Sequence, residues 1–248
     1  MKHRIAVAPL LLAAAGLAAG ALLWASGGDV ALNHWLLAHE SPTVTSLATQ
    51  LGWLGLGRVQ IIACLLAGLW CGAHARGRRV GCLPTLSITG RWLLGLAHQT
   101  VLLLRGQRQW TPHWRTLPYH GRVWLLAIAS FALAGLAQLL LKISIGRPRP
   151  KETFWNGIDP YTPHPFGLDA GFWSFPSGHS TSSFAIAMVL MAGFPRWRWP
   201  ILLIATLLAA SRFMALTPHY VGDVIAGSAL GAAVALYIVR TLRVQGNA

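Results

Sequence analysis

The chain reads as an all-α, polytopic membrane bundle of about six spans, and three observations carry that expectation. It is 54% hydrophobic with only 10% charged residues, and its mean hydropathy is +0.52. Its apolar residues fall in separate long runs. Its 20 Lys and Arg against 6 Asp and Glu sit mainly between those runs, giving a net charge of +14. In a soluble protein that charge would point to nucleic acid. Here the arginines separate membrane segments, which excludes a nucleic-acid face and points to positive-inside loops and an anion site.

Each segment follows in order. Ile5 to Trp24 is an apolar run behind Lys2, His3 and Arg4, long enough to span. A signal peptide shares that basic start, but this run exceeds a usual signal core. Gly27 to Ser46 carries Asp29 and Glu40 and no Lys or Arg. Leu47 to Gly72 is the second span, with Arg58 near its start. Residues 76 to 122 are basic, and inside them Arg91, His98 and Arg105 recur every seven residues on one helical face. That periodicity predicts an amphipathic helix lying in the membrane surface, with a short re-entrant segment as the alternative. Val123 to Leu141 is the third span, and Ser144 to Ser177 is a polar connection rich in proline and aromatics. His179 to Phe194, Ile201 to Leu216 and Tyr220 to Val239 are the fourth to sixth spans. The length fits one domain over 1–248, with N-terminal spans and the basic loop in 1–121 and a catalytic core in 122–240. Cys64, Cys71 and Cys82 lack metal or redox spacing and read as small core residues or free thiols.

Counting Lys and Arg per loop puts the N-terminus, the 76–122 stretch, the 195–200 turn and the C-terminal tail on the cytoplasmic side. Lys142, Arg147, Arg149 and Lys151 then lie on the translocated side, against the rule. Snorkelling to headgroups is one explanation. An anionic substrate is the other, and two more polar islands favour it.

The first island is Lys142 with Arg147-Pro148-Arg149-Pro150, in which each proline fixes its φ and stiffens the spacing of guanidinium forks suited to phosphate. The second is Pro176-Ser177-Gly178-His179, just before an apolar helix. Ser177 fits an N-cap there, Gly178 permits close approach of an anion to helix N–H groups, and His179 fits a proton donor to a leaving oxygen. Simple capping is the competing reading of this triplet. The third is Ser211-Arg212 with His219 and Asp223. Asp223 lies four residues beyond His219, so it can take a hydrogen bond from one ring nitrogen and leave the other as a nucleophile. A lone acid at the mouth of an apolar helix is costly unless paired. No His and carboxylate group has metal-ligand spacing, so the expectation is phosphoryl chemistry without a metal or other cofactor, with Lys and Arg neutralising charge.

The three islands resemble the type 2 phosphatidic acid phosphatase family, related to vanadium-dependent haloperoxidases. Lys142 to Arg149-Pro150 matches the family's Lys-x6-Arg-Pro, residues 176–179 match Pro-Ser-Gly-His, and Ser211, Arg212, His219 and Asp223 match Ser-Arg-x5-His-x3-Asp with one departure: six residues, not five, separate Arg212 from His219. The resemblance implies that His219 attacks phosphorus to form a phosphohistidine, Asp223 orients it and His179 protonates the leaving group. It implies that Lys142, Arg149, Ser177, Gly178 and Arg212 bind the phosphate. One inserted residue would rotate Arg212 by about 100° on a regular helix. Thr217-Pro218 is expected to absorb it, with Arg147 as an auxiliary cation.

The expected protein is therefore an integral-membrane lipid phosphatase of a bacterial inner membrane with a periplasm-facing site. Its expected partner is a lipid phosphate and not nucleic acid. Undecaprenyl pyrophosphate, phosphatidic acid, phosphatidylglycerol phosphate and lipid A are the candidates. A lipid phosphotransferase with the same site, or a non-catalytic lipid-phosphate binding or transport protein, are the alternatives. Oligomeric state is not legible.

Overall fold

The structure is a computed structural model that describes residues 2–77 and 119–242. Those residues form helices and connecting turns, and no strand occurs among them. Numbered within the described residues, the helices are α1 (Lys2–Ala25), α2 (Gly28–Ala38), α3 (Pro42–Leu54), α4 (Gly57–Gly77), α5 (Tyr119–Ile145), α6 (Pro150–Asn156), α7 (Gly178–Gly193), α8 (Arg198–Met214) and α9 (Val221–Leu242). The surface helix expected around Arg91 to Arg105 lies outside the described residues.

All six apolar runs are helical. Val7–Ala25, Tyr119–Asn156 and Val221–Arg240 are each long and apolar enough to cross a membrane. The run expected as a straight second span is instead two helices, Pro42–Leu54 and Gly57–Trp70, bent by 50°. Gly55 and Leu56 form that corner, where helical hydrogen bonding is interrupted. Large apolar side chains point outward, as they do in a bundle solvated by lipid: Leu11 on α1 is 63% exposed, Leu66 on α4 62% and Leu203 on α8 60%. The protein is an integral membrane protein.

Helix α7 is the centre of the bundle, packed against α4, α5, α8 and α9. Around it Val123, Leu126 and Ala127 of α5, Ile186 and Val189 of α7, and Ala235 and Ile238 of α9 form a buried core. Helix α1 lies along α9. The contact uses Gly16 and Gly20, four residues apart, against Ala229, Ala226 and Gly222. A Cβ on Gly20 would come within 2.5 Å of the Gly222 carbonyl oxygen. Small residues let two backbones approach where lipid supplies no hydrophobic drive to associate.

Residues 26–46, expected as the loop between the first two spans, are largely α2 and the start of α3. Helix α2 starts behind Gly27, whose φ of 72° is open to glycine at little cost, and it holds Asp29 fully buried. The long connection between α5 and α7 is tied down. Trp24 Nε1 donates to the Pro160 carbonyl at 2.8 Å, the Arg149 N–H to Gly171 O at 2.9 Å, and the Ser174 N–H to Arg147 O at 3.0 Å.

Candidate active site

The C-terminal end of α5, the N-terminal ends of α7 and α9, and the loop after α8 meet at one end of the bundle. This brings all three polar islands together. His219 sits in that loop, 3% exposed. Its Nδ1 is 2.8 Å from the Ser174 carbonyl oxygen. A carbonyl only accepts, so Nδ1 carries the proton and Nε2 the lone pair. The expected hydrogen bond to Asp223 is not the one observed, since Asp223 Oδ2 stands 3.7 Å from Nδ1. Burial pushes the His219 imidazolium well below the ordinary histidine range, an effect that the neighbouring Asp223 opposes. The ring is therefore neutral at pH 7.

Asp223 accepts from three groups. Oδ2 accepts from the Ser174 hydroxyl at 2.6 Å and from the Tyr220 N–H at 2.9 Å. Oδ1 accepts from Arg147 Nη1 at 2.7 Å. The same Arg147 nitrogen is 2.9 Å from Asp29 Oδ2. Ser174 thus serves twice, through its carbonyl to His219 and its hydroxyl to Asp223. Sequence reasoning missed it, because nothing in the aromatic-rich loop distinguishes one serine by spacing. Arg147, expected as an auxiliary phosphate cation, is 0% exposed and committed to two carboxylates.

Across from this network stand the groups expected to bind phosphate. Lys142, at the end of α5, donates from Nζ to the Trp173 carbonyl. Nε of Arg149, Nε of Arg212 and Nε2 of His179 are buried without a hydrogen-bond partner in the protein. Arg212 and Arg149 both act electrostatically on His179, which places these three groups and Lys142 in one neighbourhood. Buried donors without partners are expensive in a folded protein. Three of them converging is what an anionic ligand would satisfy.

The extra residue before His219 is absorbed in the turn. Helix α8 stops at Met214, and Leu216 adopts φ 64°. The Leu216 N–H bonds Phe213 O at 3.0 Å and the Thr217 N–H bonds Ala215 O at 2.7 Å. The turn covers residues 215–218, which include the expected Thr217-Pro218 break, and Arg212 stands near His179. Ser177 does precede α7 at the N-cap position but makes no side-chain cap bond. Its Oγ accepts from Ser180 Oγ at 3.0 Å, so simple capping does not describe it.

The corner between α3 and α4 also reaches the site. A Cβ built on Gly55 would lie 2.9 Å from His179 Cδ2, and one built on Gly52 would collide with the Arg212 guanidinium. These glycines let a broken helix press against two site residues. Next to them, an apolar groove of about 470 Å³ opens between α4, α5, α7 and α8, lined in part by Cys64, Trp124, Ile186 and Leu208. Ser183, four residues beyond His179 on α7, lies on its wall, where it accepts from Gln60 Nε2 at 2.7 Å.

Three comparisons agree with this architecture. Residues matching 98 positions of a lipid A 1-phosphatase from Rhizobium etli are 43% identical, over 40% of this chain and 41% of that protein. A lipid A 1-phosphatase from Rhizobium johnstonii is 40% identical over 111 residues, 44% of each chain. The matches thus span less than half the length of either relative. The crystal structure of a transmembrane PAP2 type phosphatidylglycerolphosphate phosphatase from Bacillus subtilis has the same fold, with a TM-score of 0.58, 20% identity and 93% of each chain covered. Residues 123–246, which include all three islands, match the family model of the PAP2 superfamily, and the chain belongs to that superfamily.

Proposed function

We propose that the protein is an integral-membrane lipid phosphatase working through a phosphohistidine. The observation that carries this reading is the arrangement around His219. A neutral imidazole has its Nδ1 proton fixed on a carbonyl at 2.8 Å, and it faces buried arginine and histidine donors that lack protein partners. Lys142, Arg149 and Arg212 would hold the phosphoryl oxygens, with Ser177 and Gly178 at the start of α7. His219 Nε2 would attack phosphorus as the bond to the lipid oxygen breaks, and His179 would give that oxygen its proton. Water would then attack the phosphohistidine as its proton passes to His179, breaking the N–P bond, releasing phosphate and restoring both histidines. The three cations supply the charge neutralisation that phosphoryl transfer requires, so no metal is needed in this scheme.

For the substrate we favour a lipid A type 1-phosphate, on the strength of the two Rhizobium relatives. The apolar groove beginning one turn from His179 lies on the leaving-group side and offers room for an acyl chain. We place the site on the periplasmic face of a bacterial inner membrane, because the 195–200 turn carries Arg196 and Arg198 at the opposite end of α7 and α8. A phosphotransferase would use the same residues with a lipid acceptor in place of water.

Purified protein should release phosphate from lipid A in EDTA, faster than from undecaprenyl pyrophosphate, phosphatidic acid or phosphatidylglycerol phosphate. Activity only after adding a divalent metal would overturn the metal-free mechanism. Phosphate appearing on a second lipid instead of in solution would make the enzyme a transferase. A cysteine at the exposed Thr162 should react with an impermeant reagent from outside, and labelling only from the cytoplasm would reverse the orientation.

A further inference from the structure

Two buried charged residues take no part in the mechanism above. Asp29, Arg147 and Asp223 are each 0% exposed. One guanidinium nitrogen, Arg147 Nη1, lies 2.9 Å from Asp29 Oδ2 and 2.7 Å from Asp223 Oδ1. The guanidinium is also stacked between aromatic faces, 4.8 Å from the Trp24 ring centroid and 4.1 Å from that of Tyr220. It is held from four sides through Nη1 and its two ring contacts, while its Nε and Nη2 have no hydrogen-bond partner in the protein. Asp29 is set by the helix contact described above, since a Cβ on Gly222 would lie 2.8 Å from Asp29 Oδ2 and 2.9 Å from the Gly20 carbonyl oxygen.

We infer that Asp29 and Arg147 are positioning residues for the His219–Asp223 pair, joining the N-terminal helices to the reacting histidine through a carboxylate–guanidinium–carboxylate bridge. The inference rests on the proposed role of His219. An arginine paired with Asp223 alone would neutralise it and pull its charge away from the imidazole. A second acid on the same nitrogen shares the guanidinium and so leaves more of the Asp223 charge beside His219, while burial pushes the Asp29 carboxyl up and Arg147 opposes that. That charge favours the cationic imidazole that forms when phosphorus is bound. The bridge also fixes the carboxylate plane, which keeps Oδ2 on the Ser174 hydroxyl and so holds the Ser174 carbonyl against Nδ1. Among the described residues, the other charged groups acting on His219 are Lys142 and Arg149, both cations.

The test uses Asp29→Asn, Asp29→Glu and Arg147→Lys in the full chain in detergent. Readouts are kcat, KM, inhibition by vanadate and the ¹⁵N spectrum of His219. For Asp29→Asn and Arg147→Lys we expect kcat per folded molecule to fall about tenfold or more, in line with outer partners of reacting groups. KM and vanadate inhibition should stay within about twofold, and the ¹⁵N spectrum should show loss of the Nδ1–H tautomer. Asp29→Glu, which keeps the charge, should recover part of kcat. Weakened vanadate binding with an unchanged tautomer would make Arg147 a phosphate ligand and overturn the inference. Wild-type kcat per folded molecule with a lowered melting temperature would reduce the bridge to a structural ion pair. A wild-type protein that hydrolyses no lipid phosphate would sink the proposed function instead, while the His219 spectra would still decide whether the bridge sets the tautomer.

Discussion

The two halves of the site differ in how their polar groups are satisfied. Around His219 the reacting groups have protein partners, the ring with Ser174 O, and Asp223 with Ser174, Tyr220 and Arg147, while behind them Nε and Nη2 of Arg147 have none. Around His179 the reverse holds, and Nε2 of that ring and Nε of Arg149 and Arg212 are buried without one. Such a difference within one site separates what is pre-organised from what waits for a ligand. The satisfied half costs no reorganisation at the moment of reaction, while the unsatisfied half pays its desolvation in advance and recovers it from an anion.

That contrast is broken most severely at its nucleophile. His219→Ala should lower lipid phosphate turnover by at least about 10³-fold, as removal of a covalent catalyst does. Retained turnover, measured as inorganic phosphate release, would move the nucleophile elsewhere. Next come the unsatisfied donors. Arg149→Ala and Arg212→Ala should each cost about 1.5–3 kcal/mol of charge-assisted binding, about 10- to 100-fold in kcat/KM. Loss of vanadate inhibition should accompany it, unlike the bridge variants. If the two losses are equal, the extra residue before His219 has no catalytic consequence. Ser174→Ala removes only the hydroxyl and leaves the carbonyl, so it should cost about tenfold in kcat, the order of one unpaired buried acceptor. The smallest effect is on pH dependence. Burial, the largest influence, holds the folded-state His219 pKa below its ordinary value of about 6.5. The neutral, reactive ring then persists as pH falls through 6.5, so the acid limb of kcat/KM should lie below that value. The same sign makes His219 a source of instability in acid, where the unfolded chain takes up its proton first. An acid limb at or above 6.5 would show the ring to be less enclosed than its 3% exposure implies.

Much of the satisfied half was not legible in the sequence, and the reason is physical. Lys142, Arg149, His179, Arg212, His219 and Asp223 carry fixed spacings within an apolar background, so their convergence could be read from span count. Ser174 acts through its carbonyl as much as its hydroxyl, and a carbonyl leaves no residue-type signal. Asp29 stood out only as an acid in a loop without Lys or Arg, with nothing to name a partner 118 positions later at Arg147. Gly16 and Gly20 had a readable spacing of four. Gly52 and Gly55 looked like ordinary residues of a span, and only the 50° bend reveals that they bring a corner to Arg212 and His179. The apolar runs were read correctly as helical, though among the described residues only three helices, or four with the bent pair, are long and apolar enough to cross a membrane, and hydropathy carries no signal for a break that keeps its composition apolar.

The glycine contact between α1 and α9 has a consequence for the order of synthesis. The first helices leave the ribosome carrying Asp29 and a glycine face that has nothing yet to meet. Arg147 follows only after α5, and Gly222 and Asp223 come last. The N-terminal pair must therefore stay in the bilayer as an unfinished half-joint until the final helix arrives and closes it. A piece beginning at residue 123, although it holds all three polar islands and the whole family match, would be made without the acid at the far end of that joint. Supplying residues 2–77 as a separate chain is then a complementation experiment in which recovery of turnover reports assembly, not synthesis, of the site.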